Sequence, residues 1–346
     1  MPEKPGPDEL LEMFRADQHN ARLALFTGAE LLAAGREEEA VAVWTLGDDA
    51  DPHLRRIKDD DGEHPLAREH SAQADGAISR FLTDLHQRSL DAWEADGQGA
   101  AGRIRNAIWA MTHEREFAYR TPYQEPQVFY VPDLPALPVT PHEQLPWAEN
   151  VEAYWSDIRD EFLSASREQS LTVPYVPTNI QMPAWRKLSG SLDWSAIYLF
   201  KDSRPIAAEK HFPVTHAALD KADLVRVNGV PMEAFFSSLQ PTAHIPPHHG
   251  LTNARLTVHL PLIVPDDCAI RVGQDTYHWQ EGSILAFDDS FEHEAWNRSD
   301  SGRTVLIFES HHPDLTPDER AAIEHVFAER SRWIARRTVL LGWHNW

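Results

Sequence analysis

Cysteine is nearly absent: Cys268 is the single thiol in 346 residues. A lone cysteine excludes an intramolecular disulfide and any multi-cysteine zinc or iron–sulfur site. Its expected place is that of a small buried hydrophobe. No uninterrupted apolar run reaches about 18 residues, so no segment reads as a membrane-spanning helix. The opening residues, MPEKPGPDEL, lack the basic-then-apolar pattern of a secretory signal, and a cytoplasmic protein is expected. Cations are scarce as well. The chain has 32 Lys+Arg against 54 Asp+Glu, a formal charge of −22. Gripping phosphate backbones needs clustered Lys and Arg on one face, so neither nucleic acid nor a membrane is expected as a partner.

What remains is a globular composition, 42% apolar and 25% charged, at a length that suggests two domains. Nineteen histidines are available, and a metal site here must be built from them and from carboxylates.

From Asp8 to about Arg120 apolar residues recur at three- and four-residue steps, which predicts a helical domain over 1–120. Gly28 and Gly35 read as helix punctuation, Ala67 to Trp93 as one helix, and Ile104, Ile108 and Met111 as the start of another. Gly35 to Val41 faintly resembles a tetratricopeptide (TPR) unit, but no 34-residue repeat recurs, and an ordinary bundle is the better description. Asp59, Asp60 and Asp61 read as a solvated loop. Residues 121–146 carry seven prolines, which forbids regular helix and predicts an extended linker or strap. The third region, 147–346, opens with one helix over Ala148–Ser166. Period-two strands follow: Trp194–Phe200, Ala234–Leu239, Arg255–Val264, Ala269–Val272, Ser283–Phe287, Glu292–Asn297 and Thr304–Phe308. A closing helix runs from about Pro317 to Arg336. The fold class is α+β, a helical region followed by a jelly-roll with flanking helices. The tail from Trp343 to Trp346 has no interpretation.

Along Arg255–Val264, Leu256, Val258, Leu260 and Leu262 point one way, while Arg255, Thr257 and His259 point the other. On the strand alone, solvent is the favoured surrounding for the polar face. Its neighbours shift that balance. Upstream, His244-Ile-Pro-Pro-His-His-Gly-Leu-Thr-Asn253 places His248 and His249 in what reads as a rigid loop. Downstream, Phe287-Asp-Asp-Ser-Phe-Glu-His-Glu-Ala-Trp296 places His293 on a strand, and Arg303 follows ten residues later. A histidine trailed by an arginine at the mouth of a jelly-roll fits a non-haem iron site that binds a dicarboxylate. Iron takes imidazoles and keeps open positions, and arginine clamps a carboxylate in two-point fashion. The usual triad of two histidines and one carboxylate lacks a member, because two residues after His248 stands Gly250.

The stretch from about Leu192 to Thr316 resembles the aspartyl/asparaginyl β-hydroxylase family of iron(II)- and 2-oxoglutarate-dependent dioxygenases. The resemblance runs through Pro247-His-His-Gly-Leu-Thr-Asn253-Ala-Arg-Leu256, His259-Leu260, Arg271-Val-Gly273 and Trp279-Gln-Glu-Gly282. It continues through Phe287 to Trp296, Arg303 to Phe308, and His312-Pro-Asp-Leu-Thr316. It implies a double-stranded β-helix (a cupin-like jelly-roll), and it implies that glycine in place of the carboxylate ligand is the norm. By the same resemblance, His248 and His293 would hold Fe(II). Arg303 with Ser237 would bind the distal carboxylate of 2-oxoglutarate, and His259 would lie near its other end. Arg255 would face a substrate carboxylate or carboxamide. Asp289 would orient a metal-bound water, its alternative being a turn residue. His244, His249, His311 and His312 are expected to be surface or structural.

The implied reaction consumes O2 and 2-oxoglutarate, hydroxylates an unactivated carbon and releases succinate and CO2. The carbon implied first is the β-carbon of Asp or Asn in a peptide or protein. Thr257, where many relatives carry a second Arg, weakens that choice and leaves a free amino acid or small natural product as the alternative. A catalytically retired helical-repeat adaptor is disfavoured by the joint presence of His248, His293 and Arg303. A zinc hydrolase is disfavoured by the lack of a His-Glu-x-x-His spacing.

Overall fold

Three- and four-residue apolar spacing builds four helices in the first hundred residues of the computed structural model, which describes residues 5–180, 182–206 and 210–343. They are α1 (Pro7–Ala16), α2 (Ala21–Ala33), α3 (Glu37–Ala50) and α4 (Pro65–Ala95). Gly35 ends α2 as expected: its φ of 77° lies in the left-handed region, and the Arg36 N–H reaches back to the Leu31 carbonyl. Gly28 does something else. It lies inside α2, where a Cβ would overlap the indole of Trp44, and Trp44 Nε1 donates to the Leu25 carbonyl at 3.2 Å. The glycine is a packing site rather than punctuation. At 31 residues, α4 is far longer than its 10-, 13- and 14-residue neighbours, so no repeating helix pair emerges. The helix expected at Ile104–Met111 does not form. Ile108–Trp109 is a short strand paired with Phe129–Tyr130, in keeping with β-branched and aromatic side chains.

The compact units differ from the expected domains. One comprises residues up to 105, 111–117 and those from 321 on; the other comprises 106–110 and 118–320. The C-terminal helix, Pro317–Leu340, is divided between them because its apolar side chains share the core of the first. Trp333 and Trp343 pack there with Phe81 and Phe14, at ring-centroid distances of 5.3 and 6.0 Å. Residues 344–346 of the tail lie outside the described residues. No helix among the described residues is long and apolar enough to cross a membrane.

In the second unit, alternating side chains form two antiparallel sheets. The strands are β1 (Trp194–Lys201), β2 (Ala234–Leu239), β3 (His244–His248), β4 (Arg255–Ile263), β5 (Cys268–Val272), β6 (Asp275–Tyr277), β7 (Leu285–Phe287), β8 (His293–Asn297) and β9 (Arg303–His311). One sheet has the order β7-β4-β9-β2-β1, with the two-residue strands Val173–Pro174 and Arg204–Pro205 also paired to β1, and the other β6-β5-β8-β3. From β2 to β9 the chain keeps crossing between the sheets, which is the winding of a jelly-roll. Leu256, Val258, Leu260 and Leu262 form one core with Ile158 and Phe162 of the flanking helix Trp155–Ala165. Each such side chain contributes about 1.5–3 kcal/mol on burial. The expected single helix over Ala148–Ser166 is two, Ala148–Glu152 and Trp155–Ala165. A second core, with Ile245, Cys268, Ile270 and Phe287, lies between the sheets. The lone cysteine is buried there.

The Pro-rich stretch is a strap. Proline supplies no N–H, but the residues between do: Gln127 and Val128 donate to the Gly250 and Leu251 carbonyls at 3.0 and 2.9 Å. Glu125 donates to the Ser290 carbonyl at 2.7 Å. The Asn253 side chain holds both backbone groups of Val131, at 2.8 and 2.9 Å.

Candidate active site

β3 and β8 are neighbours, and their register sets His248 opposite His293. The ring centroids are 4.0 Å apart. The segment expected as a loop is thus a strand, and it lies at the edge of its sheet, where Pro246 and Pro247 can be accommodated without a missing ladder bond. Nδ1 of His248 donates to the Pro246 carbonyl (2.8 Å), and Nδ1 of His293 to the Phe291 carbonyl (3.0 Å). That tautomer leaves each Nε2 lone pair free. Burial holds both imidazoles down to about 4, with the neighbouring ring adding to the effect on His248, so both are neutral at pH 7.

Gly250 follows at once. A Cβ at this position would overlap the Asp289 carboxylate, so the space that a ligand side chain would enter from residue 250 is already taken by a carboxylate from another loop. Thr257 Oγ1 donates to Asp289 Oδ2 at 3.1 Å, whereas Oδ1 is buried with no hydrogen-bond partner. Burial raises the Asp289 carboxyl above its usual range. Among the described residues no three His, Cys, Asp or Glu side chains converge as a metal-ligand set; the donors present are the two imidazoles.

The polar face of β4, with Arg255, Thr257 and His259, lines a cavity of about 340 Å³ between the sheets rather than meeting solvent. Arg303, on β9, is 1% exposed and forms no ion pair among the described residues. Its Nη1 donates to the carbonyl and Oγ of Ser237 at 3.3 and 3.4 Å, its guanidinium lies 4.7 Å from the Trp279 ring centroid, and Nε has no partner. Burial pulls it down to about 10, still a cation at neutral pH. Ser237 Oγ also accepts from Trp194 Nε1 (3.0 Å), which leaves its own hydrogen available. His259 Nδ1 accepts from Trp279 Nε1 (3.2 Å), so a neutral His259 carries its proton on Nε2. Burial, with Arg303 nearby, keeps this ring neutral.

The other end of the same face differs from expectation. Arg255 lines the cavity, but its Nε pairs with Glu309 Oε1 at 3.2 Å and its Nη1 meets Met232 Sδ at 3.0 Å. It is not a free anion receptor. Glu233 and Tyr175 also line this end. Sequence reasoning passed over Glu233, Glu309 and Tyr175, although strand parity marks Glu309. Glu309 shares a strand face with Arg303, six residues away, whereas Glu233 lies just before the strand that carries Ser237. Of the remaining histidines, His249 lines the cavity, His312 is buried, and His244 is exposed and pairs with Glu294 at 2.7 Å.

The model of the aspartyl/asparaginyl β-hydroxylase family matches residues 152–313. Mouse aspartate β-hydroxylase domain-containing protein 1 is 30% identical over 273 residues, 78% of this chain and 70% of that protein. Mouse aspartyl/asparaginyl β-hydroxylase is 35% identical over 178 residues, 51% of this chain but 23% of that protein. The ornithine lipid ester-linked acyl 2-hydroxylase of Rhizobium tropici is 35% identical over 187 residues, 52% of this chain and 62% of that protein. This chain thus spans less than a quarter of the mouse hydroxylase and under two thirds of the bacterial one. The chain belongs to the aspartyl/asparaginyl β-hydroxylase family.

Proposed function

We propose that the protein is an iron(II)- and 2-oxoglutarate-dependent dioxygenase that hydroxylates an unactivated carbon. The observation that carries this reading is Arg303, a buried cation with no carboxylate partner among the described residues, in one cavity with two neutral imidazoles whose Nε2 atoms are free. A buried charge without a partner is costly, so its expected partner is a ligand anion. The donor set fits the metal, since neutral imidazole is a good ligand for iron(II). Iron(II), when bound, supplies the activation of O2: R–H, O2 and 2-oxoglutarate give R–OH, succinate and CO2, one oxygen atom going to each of the first two.

The chain's own groups do the rest. His248 and His293 would hold the metal. Arg303 and the Ser237 hydroxyl bind the distal carboxylate of 2-oxoglutarate, and the His259 Nε2–H donates towards the other end of the co-substrate. Asp289 accepts a hydrogen bond from a water beside the metal through its unpartnered Oδ1. For the carbon attacked, the relatives' names suggest the β-carbon of Asp or Asn in a peptide or protein. Thr257 and the carboxylates around Arg255 favour instead a free amino acid or a small natural product.

The test is succinate formation by the iron(II)-loaded protein, together with a calorimetric titration of iron(II). His248→Ala and His293→Ala should each lower both turnover and metal affinity by more than about 100-fold, because even outer-shell partners of a metal site are worth 10–100-fold. Turnover that survives both changes would overturn the assignment.

A further inference from the structure

The cavity has two ends of opposite character. Arg303 and Glu309 occupy the same face of β9 six residues apart, about 20 Å at strand rise. The Arg303 end carries a cation and donors. The far end carries Glu309 and Glu233, with Arg255 between the sheets as their shared counter-charge. One cation cannot neutralise two carboxylates. Arg255 is committed to Glu309 Oε1, and Lys201, which acts on Glu233 more weakly than Arg255 does, lies over the Tyr198 ring at 4.5 Å. Glu233 has no ion pair among the described residues.

A second, independent feature points to a ligand. Glu309 lines the cavity and is 8% exposed, and its buried Oε2 has no hydrogen-bond partner among the described residues. Buried acceptors are normally satisfied, and one left open in a cavity wall asks for a donor from whatever enters. The adjoining wall is aromatic: the Tyr175 ring stacks on Trp194 at 3.9 Å and on Phe235 at 5.3 Å, and all three line the cavity. Carboxylates beside an aromatic wall are the chemistry that receives ammonium and guanidinium groups.

We propose that the Glu233–Glu309 end of the cavity seats a cationic group, an ammonium or guanidinium carried by a small substrate such as a free basic amino acid. This rests on the hydroxylase reading above and names the substrate class for it. The seated cation fixes which carbon of the substrate is presented to the histidine pair. Size agrees: at about 340 Å³ the cavity is at the small end of ligand sites, and the co-substrate shares it. The chain's charge of −22 raises the local concentration of cations at its surface.

The experiment uses the full chain loaded with iron(II). Binding of 2-oxoglutarate is measured first, by calorimetry; if it does not bind, the hydroxylase reading fails and the substrate proposal falls with it. Where it binds, L-arginine, L-lysine, L-norleucine and L-aspartate are titrated into the complex and succinate formation is followed. L-Arginine or L-lysine should bind at least about tenfold more tightly than L-norleucine and L-aspartate, the effect of one partly desolvated charge pair, and should stimulate succinate release. Glu233→Gln should erase most of that preference while binding of L-norleucine stays as it was. L-Aspartate outbinding the basic pair, or neither basic amino acid binding at millimolar concentration, overturns the proposal and leaves the hydroxylase reading standing. Binding of Lys- or Arg-containing peptides without binding of the free amino acids also overturns it.

Discussion

Arg303 and Glu309 show how one residue's neighbours set its chemistry. Both are buried on one strand face, yet Glu309 has Arg255 at 3.2 Å and Arg303 has no protein anion among the described residues. Replacing Arg303 by Met removes a buried unpaired charge, and such replacements are often neutral or stabilising. Arg303→Met should therefore leave the melting temperature unchanged or raised, while 2-oxoglutarate affinity falls by about 100-fold or more, the loss of a charge-assisted two-point contact. Thermal melting and calorimetry on the same preparation would show whether stability and affinity part in this way.

Glu309 makes the complementary case. Burial pushes its carboxyl up to about 7, above an unfolded value near 4.3, so without a ligand it is about half ionised at neutral pH, a seated cation would hold it charged, and the fold binds its proton more tightly than the unfolded chain does. The stability this contributes is complete below about pH 4 and is lost as pH rises through about 7. Asp288, also buried and pushed up to about 7, acts in the same direction. The neutral imidazoles of His86, His248, His293 and His311, held down to about 4 by burial, act in the opposite direction, so Glu309→Gln should make the melting temperature of the apo protein rise more steeply, or fall less, between about pH 5 and 7 by removing one group that opposes them. A slope unchanged by the substitution would place the titrating group elsewhere.

At the scale of elements, what positions the site is strand parity together with the strap. β4 presents leucines and a valine to the flanking helix and its polar trio to the cavity, a division any one-residue slip would invert. The Pro-rich strap is tied to the loops that carry Gly250 and Ser290, and Asn253 is its central tie. Asn253→Ala leaves the Val131 N–H and carbonyl without partners, at a cost of about 1–3 kcal/mol in stability. The same change should weaken iron(II) binding, because the strap hydrogen-bonds the carbonyls of Gly250 and Leu251, just after His248. Denaturant unfolding and metal titration check the two effects separately.

At the scale of the whole molecule, periodicity and proline density along the chain suggested three consecutive regions, but the C-terminal helix belongs largely with the first hundred residues. Removing residues 1–105 by themselves would strip the cover from Trp333, Leu341 and Trp343, which are buried with the helical core. A 106–346 chain should therefore aggregate, while a 106–320 chain should remain monodisperse in size-exclusion chromatography. If both behave alike, the apolar face of the C-terminal helix is not what holds the first unit together.

The local signals were legible without a structure. Period-two alternation located β1, β2, β4, β5, β7, β8 and β9 to within a few residues, and the single cysteine left imidazole and carboxylate as the available metal donors. Alternation is a property of neighbouring residues, so it survives in one dimension. Only the tertiary structure decided which face of β4 meets the cavity, that Asp289 fills the space beside Gly250, and that Arg255 is paired with Glu309. It also decided that β3 is an edge strand, despite Pro246 and Pro247. Each of these depends on register between strands far apart in the chain, and charge pairing is settled by distance in space, to which spacing along the sequence is blind.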